Sequence, residues 1–355
     1  MTSAYAIYRL PYAHEATLIQ QTEGEPAEYL SCTELNGKSG FVVAPFEVTP
    51  QQPILLIRPD SVERVACRLG CRVESTLSIL HTSLNTYAID FANYHSQLEQ
   101  GTFRKIVLAR CADEQTAEAI DPMTLFHRAC ELYPRMFISL VNTAKSGCWL
   151  MATPEILLEQ TDDQWRTIAL AGTMKLEGEQ LAGEGETLTW STKNIQEQRI
   201  VATYITECLK QFTSDFREEG PRTVRAANLV HLRSDFTFSL PDGSHLGNLL
   251  QVLHPTPAVC GLPKRETFDF IVNNEHTHRR YYSGFMGPLK VQSSMPNVQP
   301  STHLYVSLRC MNIEGNRYHL YAGGGLLKDS VEEQEWQETE AKLETMRQCI
   351  AIKKM

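Results

Sequence analysis

The spacing of apolar residues changes along this chain from a strand-like to a helix-like pattern. Residues 1–80 contain short apolar runs between polar turns, of which residues 40–44 are typical, and this pattern predicts the strands of a sheet. From residue 84 to residue 100 the apolar positions recur every three or four residues, which predicts a helix that ends at Gly101.

A second long helix is predicted at residues 191–212, and it carries an acidic residue among its apolar positions. Glu197 lies four residues before Val201, so its side chain extends the apolar stripe instead of facing water. This is one of two predicted helices with inward-facing carboxylates.

The other is an acidic helix near the C-terminus that we expect to begin at Ser330. Ser330 and Glu333 have the spacing of a capping box. Glu335, Glu338 and Lys342 follow at intervals that place all three side chains on one face. The apolar residues expected to share that face are Val331, Met346 and Cys349.

Two carboxylates and an ammonium on a core-like face need a partner, because an unpaired buried charge is unfavourable by several kcal/mol. A hard divalent cation would satisfy the carboxylates. The alternative is an ordinary acidic helix whose charged face lies in water, which is the common explanation for such a pattern taken alone.

The remaining strands and helices follow one another in mixed order. The pattern predicts strands at residues 104–110, 137–141, 148–152, 167–173, 228–232, 235–239, 279–287 and 304–310. It predicts helices that begin after Asp121, cover residues 246–253, and pass through Phe268 and Ile271. Mixed order favours a single large α+β domain, residues 1–355, with antiparallel sheets flanked by helices. Within it we expect a β-rich N-terminal part, residues 1–83, and a catalytic part, residues 84–355.

The composition is that of a globular protein, and it narrows the classes of partner. Of the 355 residues, 42% are hydrophobic and 21% are charged, and the formal net charge of −9 argues against nucleic acid and anionic membranes. The first ten residues lack the basic start and apolar core of a signal peptide, and no apolar run approaches the ~18 residues that span a bilayer. The ten cysteines are scattered, so we expect free thiols in a reducing cytoplasm.

Several short motifs follow one another along the second part of the chain: residues 105–110 (KIVLAR), 152–155 (ATPE), 170–173 (LAGT), Glu197, 254–261 (HPTPAVCG), 279–284 (RRYYSG), Arg309, 321–325 (YAGGG) and 335–342 (EWQETEAK). Together they resemble the chorismate-utilising enzymes, a family that includes isochorismate synthases, salicylate synthases, and the large subunits of anthranilate and aminodeoxychorismate synthases. The resemblance covers roughly residues 100–347. The motifs follow the family's order and spacing, which implies the family's α+β fold.

The resemblance implies an isomerase that converts chorismate to isochorismate with two catalytic residues. Lys105 matches the lysine that activates water for attack at C2 of chorismate, where the ammonia-using members usually carry glutamine. A lysine can act as this base only when it is partly neutral. Glu155 matches the general acid that protonates the departing C4 hydroxyl, a role that requires a raised pKa. No covalent intermediate is implied.

The resemblance also implies a Mg²⁺ site that holds the ring carboxylate of chorismate. The residues that match the metal ligands are Glu197, Glu335 and Glu338. Backbone amides of Gly172 and Thr173 would bind the same carboxylate, and Lys342 would lie beside it.

A second group of residues matches the site for the enolpyruvyl carboxylate. Arg309 and Tyr282, with a backbone amide near Gly325, resemble this clamp, and a guanidinium suits a carboxylate because it can bind both oxygens. His231 matches a further active-site histidine. Ala258 stands where salicylate synthases often carry threonine and isochorismate synthases usually carry a small apolar residue.

Two alternatives to an isochorismate synthase remain open. A salicylate synthase would go on to eliminate pyruvate on the same scaffold. A non-catalytic chorismate-binding protein is suggested by Asn194 and Gln198, which replace the acid and the histidine usual in the family. Ala171 replaces the nucleophilic lysine of the aminodeoxychorismate enzymes and argues against that class. We expect no amidotransferase subunit, a monomer, and a product that feeds menaquinone, siderophore or other biosynthesis.

Overall fold

Two large antiparallel sheets form the body of the protein. The computed structural model describes residues 4–68, 70–71, 76–81, 84–161, 164–176, 188–226, 229–240, 245–292 and 300–350. Within them the strands are β1 (Ala4–Arg9), β2 (Glu15–Gln21), β3 (Ala27–Tyr29), β4 (Gly40–Ala44), β5 (Ile54–Ile57), β6 (Ser61–Ala66), β7 (Ser78–His81), β8 (Lys105–Gln115), β9 (Phe137–Thr143), β10 (Gly147–Thr153), β11 (Ile156–Thr161), β12 (Gln164–Lys175), β13 (Phe216–Ala226), β14 (Leu229–Phe238), β15 (Gly261–Leu262), β16 (Phe285–Leu289), β17 (Thr302–Val306), β18 (Cys310–Glu314) and β19 (Arg317–Leu326). The helices in the same ranges are α1 (Leu84–Glu99), α2 (Pro122–Leu132), α3 (Thr192–Leu209), α4 (Leu246–Leu253), α5 (Lys264–Asn274) and α6 (Glu332–Ile350), with a short 3-10 turn at Cys32–Leu35.

Each sheet takes strands from both ends of the chain. The first sheet has the order β15-β8-β19-β18-β10-β9-β1-β2-β6, and β7 also pairs with β8. The second sheet has the order β13-β14-β12-β11-β17-β16-β4-β5-β3. The α+β architecture with antiparallel sheets is therefore confirmed. The prediction that the strands of the N-terminal part form one sheet is wrong. Strands β1, β2 and β6 join the first sheet, while β3, β4 and β5 join the second.

The two sheets pack face to face, and helices cover their outer faces. Between them Phe137 of β9 stacks on Tyr305 of β17 with ring centroids 4.3 Å apart, and Trp149 is fully buried beside them. Each such side chain stabilises the fold by roughly 1.5–3 kcal/mol. Apolar residues of α2 and α6 pack on the first sheet, and those of α3 and α4 pack on the second. Each sheet is therefore packed on its inner face by the other sheet and on its outer face by helices.

At two neighbouring points the chain passes directly from one sheet to the other. Glu155 lies in the connection from β10 to β11, and Arg309 lies in the connection from β17 to β18, which divides the strand predicted at residues 304–310. The N–H of Val306 donates to the carbonyl of Glu155 (3.0 Å), and the N–H of Ala152 donates to that of Arg309 (3.1 Å). These bonds hold both connections together at one end of the sheet pair.

The long helices are confirmed with small changes at their ends. α1 ends just before Gly101, whose φ of +75° lies in the region that favours glycine. α3 begins at Thr192, one residue after the predicted start, and ends at Leu209 instead of Phe212. α2 begins after Asp121 as predicted, and the Asp121 carboxylate caps it. Among the helices that the structure describes, none has both the length and the apolar character needed to cross a bilayer. All ten cysteines are free, as expected.

Two predicted strand assignments in the second half of the chain are wrong. Residues 228–239 were expected to form two strands, but β14 is continuous because β12 and β13 pair along most of its length; Asn228 lies outside the described residues. Of residues 279–287 only the part from Phe285 onward is a strand. Arg280 and Ser283 have φ values of +53° and +61°, so the first half is a turn.

The start of α6 also differs from the prediction. Ser330 lies before the helix and does not form the predicted box with Glu333, because its hydroxyl donates to Oε1 of Glu335 (2.7 Å). Val331 is 50% exposed, so its predicted place on the buried face is wrong. The two apolar residues predicted further along that face are buried.

Candidate active site

A pocket opens between the sheets beside the two connections, with about 630 Å³ of empty space that includes open solvent at its mouth. Its wall contains most of the predicted site residues: Glu155, Gly172, Thr173, Glu197, His231, Ala258, Tyr282, Arg309, Gly325, Glu338 and Lys342. The other two, Lys105 and Glu335, are buried and contact charged residues on α3. The wall also contains apolar residues that belong to the quoted motifs but were not predicted as site residues, among them Val107, Leu170 and Val259. The fold therefore brings the predicted residues into one region.

Lys105 is the first residue of β8, and its side chain is completely buried. Its Nζ lies 2.9 Å from Oε1 of Glu197 on α3. Burial alone would raise the pKa of Glu197, but the ammonium groups of Lys105, Lys342 and Lys193 hold that pKa below its ordinary value. Glu197 is therefore ionised and forms a buried ion pair with Lys105.

A glycine of β19 allows this ion pair to approach the strand. A β-carbon at Gly325 would lie 2.1 Å from Oε1 of Glu197 and 2.8 Å from Cε of Lys105. Both distances are shorter than real contacts of a β-carbon, so a side chain at this position would displace the pair. Gly325 is the last glycine of the YAGGG motif, where a turn leading into the C-terminal helix was expected; instead it lies within β19, which pairs with β8. A larger residue there would require the ion pair to move.

Glu155 is a buried carboxyl group in the wall of the pocket, only 3% exposed. Burial raises its pKa to about 8, although Lys105, Arg309 and Lys342 act in the opposite direction. A carboxyl group with this pKa is mostly protonated at neutral pH, so it can donate a proton.

Arg309 is held by His231, and among the described residues one of its nitrogens has no hydrogen-bond partner. Nη2 of Arg309 donates to Nε2 of His231, whose Nδ1–H donates to the carbonyl of Gly172 (3.1 Å). Burial, together with Arg309 and Lys342, keeps the pKa of His231 well below its ordinary value, so the ring is neutral and can accept. Nη1 of Arg309 is buried without a hydrogen-bond partner among the described residues, and burial lowers the pKa of Arg309 only to about 10. A charged, partly unpaired guanidinium in a pocket fits a carboxylate ligand.

The backbone at Gly172 is shaped by a β-bulge and by the first turn of α3. The pairing of β12 with β14 skips Gly172, whose φ is +74°, and both Gly172 and Thr173 line the pocket. A β-carbon at Gly172 would lie 3.1 Å from Asn194, so α3 packs closely on the bulge. Gln198 is buried, and its amide donates to the hydroxyl of Ser234 (2.9 Å). Gln198, one of the two family departures, therefore has a buried hydrogen-bond partner in this chain.

Tyr282 and Ala258 complete the wall near β19. The ring of Tyr282 stacks on Tyr321, with centroids 5.6 Å apart, and its hydroxyl would lie 2.7 Å from a β-carbon at Gly323. Ala258, in the connection between α4 and β15, adds only a methyl group to the wall. Both positions therefore face the space where a ligand would lie.

The predicted charged face of α6 is largely confirmed and has a partner that sequence reasoning missed. Nζ of Lys342 donates to Oε1 of Glu338 and to the carbonyl of Gly323, both at 2.7 Å. Oε1 of Glu335 accepts a hydrogen bond from the ammonium of Lys193 on α3. The sequence pattern that could have identified Lys193 is its spacing, because it lies four residues before Glu197 and therefore on the same face of the helix.

The three predicted metal ligands reach the same short stretch of backbone. A β-carbon at Gly324 would lie 3.2 Å from Oε2 of Glu335 and 4.0 Å from Oε1 of Glu338, while Glu197 contacts the neighbouring Gly325. Burial and the nearby Glu338 raise the pKa of Glu335, a sign of crowded negative charge. Carboxylate oxygens are the donors that Mg²⁺ prefers, so the chemistry of these side chains suits a hard divalent cation. In the described residues, however, the three carboxylates do not bring one oxygen each within 4.8 Å of one another.

Comparison with known sequences places this arrangement in a family. The family model described as "Chorismate binding enzyme" matches residues 73–351. The "Salicylate biosynthesis isochorismate synthase" of Pseudomonas aeruginosa is 31% identical over 264 residues, 72% of this chain and 52% of that protein. "Isochorismate synthase MenF" of Escherichia coli is 31% identical over 257 residues, 72% of this chain and 58% of that protein. The match thus spans little more than half the length of these two relatives.

Other relatives are matched over more of their length. "Isochorismate synthase EntC" of Escherichia coli is 29% identical over 329 residues, 89% of this chain and 82% of that protein. The solved structure of DhbC from Bacillus anthracis has a TM-score of 0.81 at 21% identity, and the match covers 99% of this chain and 96% of that one. That of MenF from Escherichia coli has a TM-score of 0.80 at 22% identity, covering 98% and 88%. The family match and the shared fold agree, and the chain belongs to the chorismate-binding enzyme family.

Proposed function

We propose that this protein is an isochorismate synthase, an isomerase that adds water at C2 of chorismate and removes the hydroxyl from C4. The observation that carries the proposal is Glu155, a buried carboxyl group whose pKa is raised to about 8 in a pocket that also contains a partly unpaired arginine. The names of its relatives support the same activity.

Lys105 is the proposed base and Glu155 the proposed acid. Lys105 takes a proton from water as the oxygen bonds to C2, and Glu155 gives a proton to the C4 oxygen as that bond breaks. One water enters and one leaves, so the reaction needs no oxidant and no covalent intermediate. Glu197 lies 2.9 Å from Nζ of Lys105 and stabilises the ammonium that forms.

The two carboxylates of chorismate would bind at different groups of the pocket. Arg309 would pair its free Nη1 with the enolpyruvyl carboxylate, while the neutral His231 holds Nη2 and so fixes the guanidinium. Tyr282 and the backbone near Gly325 would contact the same group. Orientation by fixed groups of this kind lowers the barrier because the reacting atoms start in place.

The ring carboxylate would bind at the backbone of Gly172 and Thr173 and beside Lys342. Mg²⁺ held by Glu197, Glu335 and Glu338 would supply positive charge for this carboxylate. Lys342 is fixed for this role by its hydrogen bond to the carbonyl of Gly323.

The proposal is tested by product analysis after incubation of the protein with chorismate and Mg²⁺ at neutral pH. We expect isochorismate as the main product, because Ala258 in the pocket wall is a small apolar residue, as isochorismate synthases usually have at this position. Substantial salicylate and pyruvate would instead identify a salicylate synthase. Tight chorismate binding without turnover, unaffected by Lys105→Ala, would identify a non-catalytic binding protein.

A further inference from the structure

Each of the three acidic residues assigned to the metal site has a lysine of its own. The pairs are Lys105 with Glu197, Lys342 with Glu338, and Lys193 with Glu335. The first two lysines already have roles in the proposed reaction, as base and as ligand for the ring carboxylate. Lys193 has no such role, although it lies in the first turn of α3 and its side chain is only 26% exposed.

The two oxygens of Glu335 have different surroundings. Oε1 accepts hydrogen bonds both from Nζ of Lys193 and from the hydroxyl of Ser330, the latter at 2.7 Å. Oε2 instead faces the backbone of β19, where it would lie 3.2 Å from a β-carbon at Gly324. Glu338 approaches the same glycine. The carboxylate of Glu335 is thus fixed by hydrogen bonds at Oε1, while its Oε2 points toward Glu338.

The charged groups around Lys193 also favour its hydrogen bond to Glu335. The ammonium of Lys193 forms an ion pair with Glu335 and lies within electrostatic range of Glu197 and Glu338. A fixed ammonium on Oε1 also limits rotation of Glu335, which is itself 2% exposed and has little room to move.

We propose that Lys193, together with Ser330, positions Glu335 so that its Oε2 faces the divalent cation. This inference rests on the proposed Mg²⁺ site and adds a residue that does not touch the substrate. Groups that orient a metal ligand through a hydrogen bond typically change metal affinity by about 10–100-fold when removed. If Lys193 only competed with the cation for the carboxylate of Glu335, its removal would have the opposite effect and would strengthen metal binding.

The experiment is a titration of the full chain with Mn²⁺ followed by electron paramagnetic resonance, without chorismate. Mn²⁺ takes the same kind of oxygen ligands as Mg²⁺ and is visible directly. We expect the Kd of Lys193→Met to rise by about 10–100-fold. Lys210→Met is the matched control, because it removes the same charge from an exposed position at the end of the same helix, and its Kd should stay unchanged.

Ser330→Ala provides a second variant that leaves the net charge unaltered, and we expect it to weaken Mn²⁺ binding by a smaller factor. Equal or tighter binding in Lys193→Met would overturn the positioning role, and so would an unchanged Kd in Ser330→Ala if Lys193→Met fails to fold. If the wild type converts chorismate but binds no Mn²⁺, the metal site and this inference both fail while the isomerase survives. If it binds Mn²⁺ with the expected pattern but makes no isochorismate, only the proposed function fails.

Discussion

The substitution Gly325→Ala tests whether the close approach of β19 to the Lys105–Glu197 pair matters for turnover. The added methyl carbon would lie 2.1 Å from Oε1 of Glu197 and 2.8 Å from Cε of Lys105. The φ of Gly325 lies outside the left-handed region, so alanine introduces no backbone strain there. The backbone N–H is also retained, which separates the steric effect from any hydrogen bond that the amide makes to substrate.

The size of the effect follows from the required displacement. An ordinary contact between a carbon and a carboxylate oxygen exceeds 3 Å, so Glu197 or the strand must move by about 1 Å, and misplacement of that size near the reacting atoms can reduce rates by about 100-fold. This corresponds to about 2.7 kcal/mol of lost transition-state stabilisation. We therefore expect kcat for isochorismate formation to fall by about 100-fold, with the thermal unfolding midpoint measured in parallel to confirm that the variant folds.

Gly324→Ala is the internal comparison. Its β-carbon would meet Oε2 of Glu335 at 3.2 Å, a tight contact that a shift of a few tenths of an ångström relieves. We expect a loss of less than about tenfold, since the metal ligand moves little and the catalytic pair does not move. If Gly325→Ala keeps a rate within a factor of about three of the wild type, the steric reasoning is refuted.

Three further predictions concern the proposed catalytic residues and metal. Lys105→Ala and Glu155→Gln should each lower kcat by on the order of 100-fold or more, and near-normal steady-state turnover in either variant would remove its assigned role. The pKa of Glu155 is raised to about 8 and the acid must be protonated to act, so kcat should fall progressively above about pH 8; a rate that stays flat well beyond that pH contradicts the assignment. Chelation with EDTA should abolish isochorismate formation and added Mg²⁺ should restore it, whereas catalysis that persists in EDTA argues against the metal site.

Local order along the chain explains which parts of the fold could be predicted. α1 and α3 have long periodic patterns with recognisable ends, so their existence and most of their bounds follow from spacing. The turn at residues 279–284 contains two adjacent tyrosines, which are typical of a strand, yet Arg280 and Ser283 adopt positive φ. That conformation is imposed by packing against other strands, for example the hydrogen bond from Ser283 N–H to the carbonyl of Ser307, which no local pattern reveals.

Sequence reasoning named candidate site residues one by one but not the contacts between them. Motifs in family order identified Glu155 and Arg309, while their proximity depends on two connections between sheets that are about 150 residues apart in sequence. The same limit hid Lys193, because its partner Glu335 lies on another helix far along the chain. Ser330 was assigned to a cap because capping spacing is local, whereas its hydroxyl instead bonds to the buried Glu335.

The claim that water attacks C2 while the C4 hydroxyl departs is tested most directly by turnover of chorismate in ¹⁸O-labelled water. Mass spectrometry of the product, with the position of the label assigned by NMR, reports where the new oxygen lies. We predict isochorismate that carries one ¹⁸O at C2, formed by the wild type and lost in Lys105→Ala. Isochorismate without label, or salicylate and pyruvate in its place, would contradict the proposed reaction.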